Sequence, residues 1–367
     1  MTQPLRTPER LLCGPGPSNV SPDVLAAMQQ PMLGHLDPDF RVVMDEVVEL
    51  LRLVWRTDSA FVLPISGTGH SGMEAGIANL VEPGDKVIIG VAGFFGGRLR
   101  EMATRYGAEV VSVEAEWGKH VPVERLLESL AEHPDAKLLT VVHAETSTGM
   151  REPLEELGRA LAGTETLFVA DCVTSLGGID VSFDAWGVDY AYSCSQKCLA
   201  SPPGLSPIAV SPRAGERIRA RTRPTGFYLD LALLEHHWLE RGYYHHTTPI
   251  LGVYALHQSL RETLEEGLEA RWARHEDAGA YLQGELAERG FGLFAEEGFR
   301  LPQLTSVAVR DGLDAAEIQR RVLVEHGIEI GAGLGPAAGK IWRIGLMGAN
   351  ASREVADRVL AALDAVT

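Results

Sequence analysis

From residue 60 onward, the hydrophobic positions fall into short, nearly unbroken apolar runs separated by stretches with helical spacing of apolar residues. The runs at 60–64, 86–91, 109–113, 138–143, 167–171, 190–193 and 207–210 read as strands, and the segments 72–80, 95–106, 123–132 and 154–161 as helices between them. Strands that are apolar on both faces and alternate with helices predict an α/β fold, a mostly parallel seven-stranded sheet covered on both sides. Ahead of them, the Pro- and Gly-rich stretch 13–22 reads as irregular, with Ser21 and Pro22 placed to cap and open a helix through Met28. After Pro249 the texture changes: 254–289 reads as one long charged helix, followed by strands near 304–309, 328–330 and 342–344 and helices at 315–325 and 352–365. The expected division is an N-terminal arm (1–20), a large domain (21–266) and a smaller C-terminal α+β domain (267–367).

Composition removes several function classes. The 367 residues carry a formal charge of −17, which opposes binding to nucleic acid or to an anionic membrane surface. No run approaches the ~20 apolar residues of a membrane span. The N-terminal MTQPLRTPER has no apolar stretch of the signal-peptide kind, and the final Ala-Val-Thr is not a Ser-Lys-Leu signal, so the expected location is cytoplasmic. Cys13, Cys172, Cys194 and Cys198 lack paired metal spacing and no HExxH pattern occurs, so no catalytic metal is expected. Lysine is scarce: only Lys86, Lys119, Lys137, Lys197 and Lys340 are present, and arginine supplies the other cations. Lysine-based chemistry therefore has few candidates.

Three segments could carry chemistry. The first, Ser66-Gly67-Thr68-Gly69-His70-Ser71-Gly72, follows a strand and opens a helix, where free N–H groups and the dipole favour a phosphate. It also satisfies GxGxxG, but a dinucleotide site needs an acidic residue ending the next strand, and that strand ends in Ala92-Gly93 with Asp85 at its opposite end. A plain tight turn is the other reading. The second, Phe168 to Ser175, is a buried strand ending in Asp171, readable as a turn carboxylate or as the partner of a protonated heterocyclic nitrogen. The third, Ser193 to Gly204, places Lys197 between a buried strand and a Pro-Pro-Gly loop, readable as a surface lysine or as a Schiff-base amine. A phosphate cradle, a carboxylate and a lysine in this chain order describe a pyridoxal-phosphate site.

These segments, with the GPGPSNV opening, HAETSTG from His143, YYHHTTP and GLGPAAGKIWRIGLMG, make the chain resemble the class V, fold-type I aminotransferases over nearly its whole length. Within them it is similar to the alanine–glyoxylate (serine–pyruvate) aminotransferase family. The resemblance implies pyridoxal 5′-phosphate as cofactor, with Lys197 as the covalent attachment and proton shuttle and Asp171 keeping the pyridine nitrogen protonated. It implies that Thr68, Gly69, His70 and Gln196 serve the phosphate, Thr146 the ring's phenolic oxygen, and Val173 the underside of the ring. It implies that Arg343 binds the substrate carboxylate as a fork that lysine cannot copy.

The resemblance also implies an obligate homodimer with shared active sites. Tyr244 and Thr247 complete the phosphate site of the neighbouring subunit, and the arm wraps that subunit. The family's stacking residue is a tryptophan in a Gly-x-Trp-Gly context, whereas Gly93-Phe94-Phe95-Gly96 places Phe95 there. His245 and His246 read as packing or interface residues. The implied reaction is ping-pong transamination from alanine or serine to glyoxylate or another small 2-oxo acid. A ureidoglycine–glyoxylate or aminoethylphosphonate transaminase is the alternative on the same fold. A cysteine desulfurase lacks its reactive cysteine, since none follows Cys198. An NAD-dependent dehydrogenase is the distant alternative, and a non-catalytic scaffold is opposed by the Lys197/Asp171 pair.

Overall fold

The computed structural model describes residues 4–240 and 242–367; residues 1–3 of the expected arm, and Arg241, lie outside it. The main sheet is built from β1 (Phe61–Ser66), β2 (Lys86–Val91), β3 (Glu109–Glu114), β4 (Leu138–Val142), β5 (Leu167–Asp171), β6 (Tyr190–Tyr192) and β7 (Leu205–Val210), in the spatial order β1-β7-β6-β5-β4-β2-β3. Every pairing is parallel except those of β7, which runs against both β1 and β6. The reason is local. Helices supply the crossovers from β2 to β3 and from β4 to β5, and a long turn-rich segment supplies that from β5 to β6, whereas the short β6–β7 connection turns back through Pro202-Pro203-Gly204.

β4 and β5 are buried at every position, which explains why their sequences carry no polar alternation. The register places Val142 beside Asp171 and Asp171 beside Tyr192. Ser66, at the end of β1, pairs with Leu205 at the start of β7. The ends of β1, β5 and β6 thus meet at one edge of the sheet.

A second, three-stranded antiparallel sheet consists of Leu304–Ala308, Ile341–Gly345 and Gly331–Ala332, with Ile341–Gly345 in the middle. Its core is a separate hydrophobic cluster that includes Leu282, Val322, Trp342 and Leu360. The expected single helix over 254–289 is two helices, Ile250–Glu266 and Leu268–Glu288, because Gly267 between them takes φ +86, which a helix cannot accommodate. The helix Pro38–Trp55 is one that the sequence analysis does not predict. Asp37 caps it by accepting from Asp39 N, and Phe40, Met44, Val47, Leu51 and Val54 bury one face.

The described part of the arm packs on its own chain. Leu11 and Leu12 pair in parallel with Ile328 and Glu329, Cys13 packs into the small core, and Gly345 N donates to Cys13 O at 2.8 Å. Ser18 then donates to two carbonyls, through N to Gln196 O at 2.9 Å and through Oγ to Lys197 O at 2.8 Å. Residues 11–18 are therefore bound by their own chain, and the described residues 4–9 are exposed.

Candidate active site

Thr68, Gly69, His70, Phe95, Thr146, Asp171, Val173, Gln196, Lys197 and Arg343 line one cavity of about 270 Å³ at this edge of the sheet. Tyr244 and Thr247 do not. Tyr244 is half exposed and shares a 3.2 Å hydrogen bond with Thr247 Oγ1 outside the cavity.

Asp171 ends β5 and is buried. Val173 N donates to Oδ1 at 2.9 Å and the Tyr192 hydroxyl donates to Oδ2 at 2.8 Å. Burial outweighs both bonds and pushes its carboxyl up to about 6. Lys197 follows β6 and is also buried; its Nζ donates to Thr174 Oγ1 at 3.1 Å. Burial lowers the amine's pKa, with the positive charge of Arg343 acting in the same direction and Cys194, Asp171 and Cys198 opposing. A lysine so placed has a larger neutral, nucleophilic fraction than one in water. The arm closes over its stem. Gly16 has φ +108, and a Cβ there would lie 2.9 Å from Lys197 Cε.

The segment after β1 opens the helix Gly69–Leu80 with Thr68 at its N-cap, and the Thr68 side chain makes no capping bond. Its hydroxyl and the first N–H groups of the helix remain available to an anion. A Cβ on Gly69 would lie 2.8 Å from Val173 Cγ2, so the close approach requires glycine. His70 is drawn below its ordinary pKa by burial, Arg98 and Lys197, with Glu74 opposing. The dinucleotide reading fails on geometry: β2 ends in Val91 with Ala92-Gly93 beyond it, and Asp85 is engaged at the far end with Glu82 N and Arg217. His245 and His246 share a 2.8 Å Nδ1–Nδ1 contact, and His246 Nε2 meets Ser66 Oγ at 2.6 Å, so this pair packs behind the loop.

Glu145 carries no sequence signal of its own. It is fully buried and accepts from Phe95 N at 2.9 Å, Gly96 N at 3.2 Å, Ser147 N at 3.0 Å and Ser147 Oγ at 2.6 Å. One carboxylate thereby fixes Phe95, at the start of the helix Phe94–Arg105, and the chain on both sides of Thr146. Arg343 lies on the middle strand of the small sheet, donating from Nε to Ala332 O at 2.7 Å and from Nη1 to Thr146 O at 3.2 Å. Among the described residues it makes no ion pair. Burial lowers its pKa to about 10, opposed by the charge of Glu145, and the guanidinium stays protonated. A buried cation bonded only to carbonyls keeps its charge uncompensated, which is the chemistry that can take a carboxylate. Glu145, Thr174 and Gly16 escape a sequence reading because each is a single polar or small residue inside a motif whose other positions carry the signal.

Comparison with known proteins agrees with this geometry. The family described as Aminotransferase class-V matches residues 11–357. An alanine–glyoxylate aminotransferase of Oryctolagus cuniculus is 42% identical, covering 99% of this chain and 94% of its own length. A (S)-ureidoglycine–glyoxylate transaminase of Bacillus subtilis is 39% identical, covering 99% of this chain and 91% of its own. The crystal structure of an alanine–glyoxylate aminotransferase from Nostoc sp. superposes with a TM-score of 0.97 at 49% identity, covering 100% of this chain and 97% of that one. The cysteine desulfurase from Thermococcus onnurineus, at 15% identity and a TM-score of 0.77, shares the fold alone. With its cavity residues arranged on a fold-type I scaffold, this chain belongs to the class-V aminotransferase family.

Proposed function

We propose that this aminotransferase takes pyridoxal 5′-phosphate and moves an amino group from a small amino acid, alanine or serine, to glyoxylate by alternating half-reactions. The observation that carries the reading is a single cavity holding a buried lysine amine, a buried carboxylate and an arginine that makes no ion pair among the described residues. The residues present fit the cofactor. Gly69 leaves room no other residue would, the Thr68 hydroxyl caps nothing, and Gln196 Oε1 is buried without a hydrogen-bond partner among the described residues. Thr68, the helix N-terminus and Gln196 would hold its phosphate, and Asp171 would face its ring nitrogen.

When bound, the cofactor supplies the electron sink for charge released at the substrate's α-carbon. The chain's own residues do the rest. Arg343 binds the substrate carboxylate through both arms of its fork and so aims the α-carbon. The Lys197 amine takes the α-proton onto Nζ and would release it toward the cofactor, not back to the α-carbon. Asp171, whose anion is unfavourable alone, gains a positively charged partner and keeps the ring nitrogen protonated. Phe95, held by Glu145, covers the cavity's aromatic side.

The reading extends to a homodimer in which Tyr244 and Thr247 serve the site of a second copy. It is supported by their position outside their own cavity and by the neighbouring exposed aromatics Phe227 and Tyr228. The Bacillus relative favours ureidoglycine as a second donor to test. Purified protein should be yellow and bleached by borohydride, with the reduced cofactor on the peptide that contains Lys197. A panel of alanine, serine and ureidoglycine with glyoxylate or pyruvate then identifies the pair. If no donor reacts with glyoxylate, the substrate assignment fails; a protein that takes up no cofactor sinks the whole reading.

A further inference from the structure

We propose that Thr174 is a further catalytic residue: its hydroxyl holds the Lys197 amine whenever that nitrogen is not bonded to cofactor, so the proton taken from the α-carbon waits at a fixed position. The proposal rests on the function proposed above and deepens it. Lys197 Nζ donates to Thr174 Oγ1 at 3.1 Å, the one hydrogen bond this amine makes among the described residues. Both residues are buried, so without the hydroxyl the amine loses this partner where water does not readily replace it.

The two ends of the contact are each constrained. Thr174 is anchored through its carbonyl, which accepts from Gln303 Nε2 at 3.1 Å and from Cys198 Sγ at 3.2 Å. The lysine stem runs beneath Gly16, where even a Cβ would lie 2.9 Å from Cε. The stem is confined, and among the described residues the head has a single acceptor.

A hydroxyl suits the task better than a carboxylate. A carboxylate at Oγ1 would keep the amine charged and oppose proton release. A hydroxyl accepts from the ammonium and donates to the neutral amine, so it serves both protonation states. The other groups that act on Nζ are Asp171 from the end of β5, Cys194 and Cys198 from its own loop, and Arg343 from the small sheet; Lys197 in turn acts on His70 of the first helix turn. None of these groups bonds the amine directly.

The test uses the full chain as wild type, Thr174→Ser and Thr174→Val. Each is loaded with pyridoxal 5′-phosphate and mixed rapidly with alanine, following loss of the yellow colour. Each is also prepared cofactor-free, and acylation of Lys197 is read by mass spectrometry across pH. Thr174→Val should load cofactor yet react about ten-fold more slowly at an unchanged KM. Its acylation midpoint should fall by about one pH unit, because the ammonium loses an acceptor. Thr174→Ser should match wild type in both. If Thr174→Val does not fold, Thr174→Ala removes the hydroxyl without adding a methyl and carries the same expectations. A hydroxyl-free variant that matches wild type in either rate or midpoint overturns the proposal. A wild type that takes up no cofactor refutes the proposed function instead, and the cofactor-free titration still decides whether Thr174 holds the amine.

Discussion

Tyr192 donates its hydroxyl to Asp171 Oδ2 at 2.8 Å across neighbouring strands, where the sheet register sets Asp171 directly beside Tyr192. Asp171 makes no ion pair among the described residues, so two neutral donors hold a fully buried carboxylate. That arrangement restrains the group's position without neutralising it. The charge is left for a cation that enters the cavity.

The pH dependence of the cofactor-free protein follows from this. The carboxyl rises from its ordinary 3.8 to about 6, so over that interval the folded chain keeps a proton the unfolded chain has released. Stability from this group is fully present at low pH and is lost as pH rises through 6. Between pH 5 and 8 the loss is about 1 kcal/mol. Asp171→Asn cannot show it. Denaturant melts of the cofactor-free proteins should find the variant gaining on wild type from pH 5 to pH 8, while its turnover with cofactor falls by about 100-fold or more. An equal stability difference at both pH values would contradict the assignment.

Arg343→Lys keeps the charge and loses the fork. The guanidinium is bonded to Ala332 O and Thr146 O, and among the described residues no ion pair is given up by replacing it. Initial-rate kinetics should show kcat/KM reduced by about 10- to 100-fold for both substrates, mainly through KM. The absorbance of bound cofactor should stay unchanged, since the fork serves the substrate carboxylate and not the cofactor. Unaltered kcat/KM would remove Arg343 from substrate binding.

Gly16→Ala tests the arm. The residue has φ +108 and no room beside Lys197 Cε, so alanine must both adopt a left-handed backbone and displace the lysine stem. The backbone strain alone is about 1–2 kcal/mol, and cofactor attachment should slow as well. Gly34→Ala is the control, because nothing lies within 4 Å of the added methyl. Thermal melts and the rate of yellow-colour formation would separate the two; similar behaviour of both variants would show that the arm does not confine Lys197.

Much of this molecule is readable along the chain. β4 and β5 announce themselves because a strand buried on both faces is apolar at nearly every position, Thr140 and the terminal Asp171 being the exceptions here. Lys197 stands out as a rare cation placed where a buried strand ends, ahead of a Pro-Pro-Gly loop. The helix Pro38–Trp55 has an apolar face and a cap, but it precedes the strand–helix alternation that organises the rest of the pattern. The break at Gly267 is harder, since glycine within a helical pattern is tolerated and only its φ shows that the helix stops.

Sequence therefore settles most of the elements and the chemical inventory, because burial and propensity act on neighbours a few positions apart. Which groups meet is settled by strand order and by the returning arm. Tyr192 reaches Asp171, and Lys197 reaches Thr174, because β6 lies beside β5. Glu145 binds the start of a helix 50 residues earlier in the chain, and Gly16 covers a lysine far along it. Pairings of that range depend on how the sheet is ordered and how the small core docks, and no local pattern encodes either.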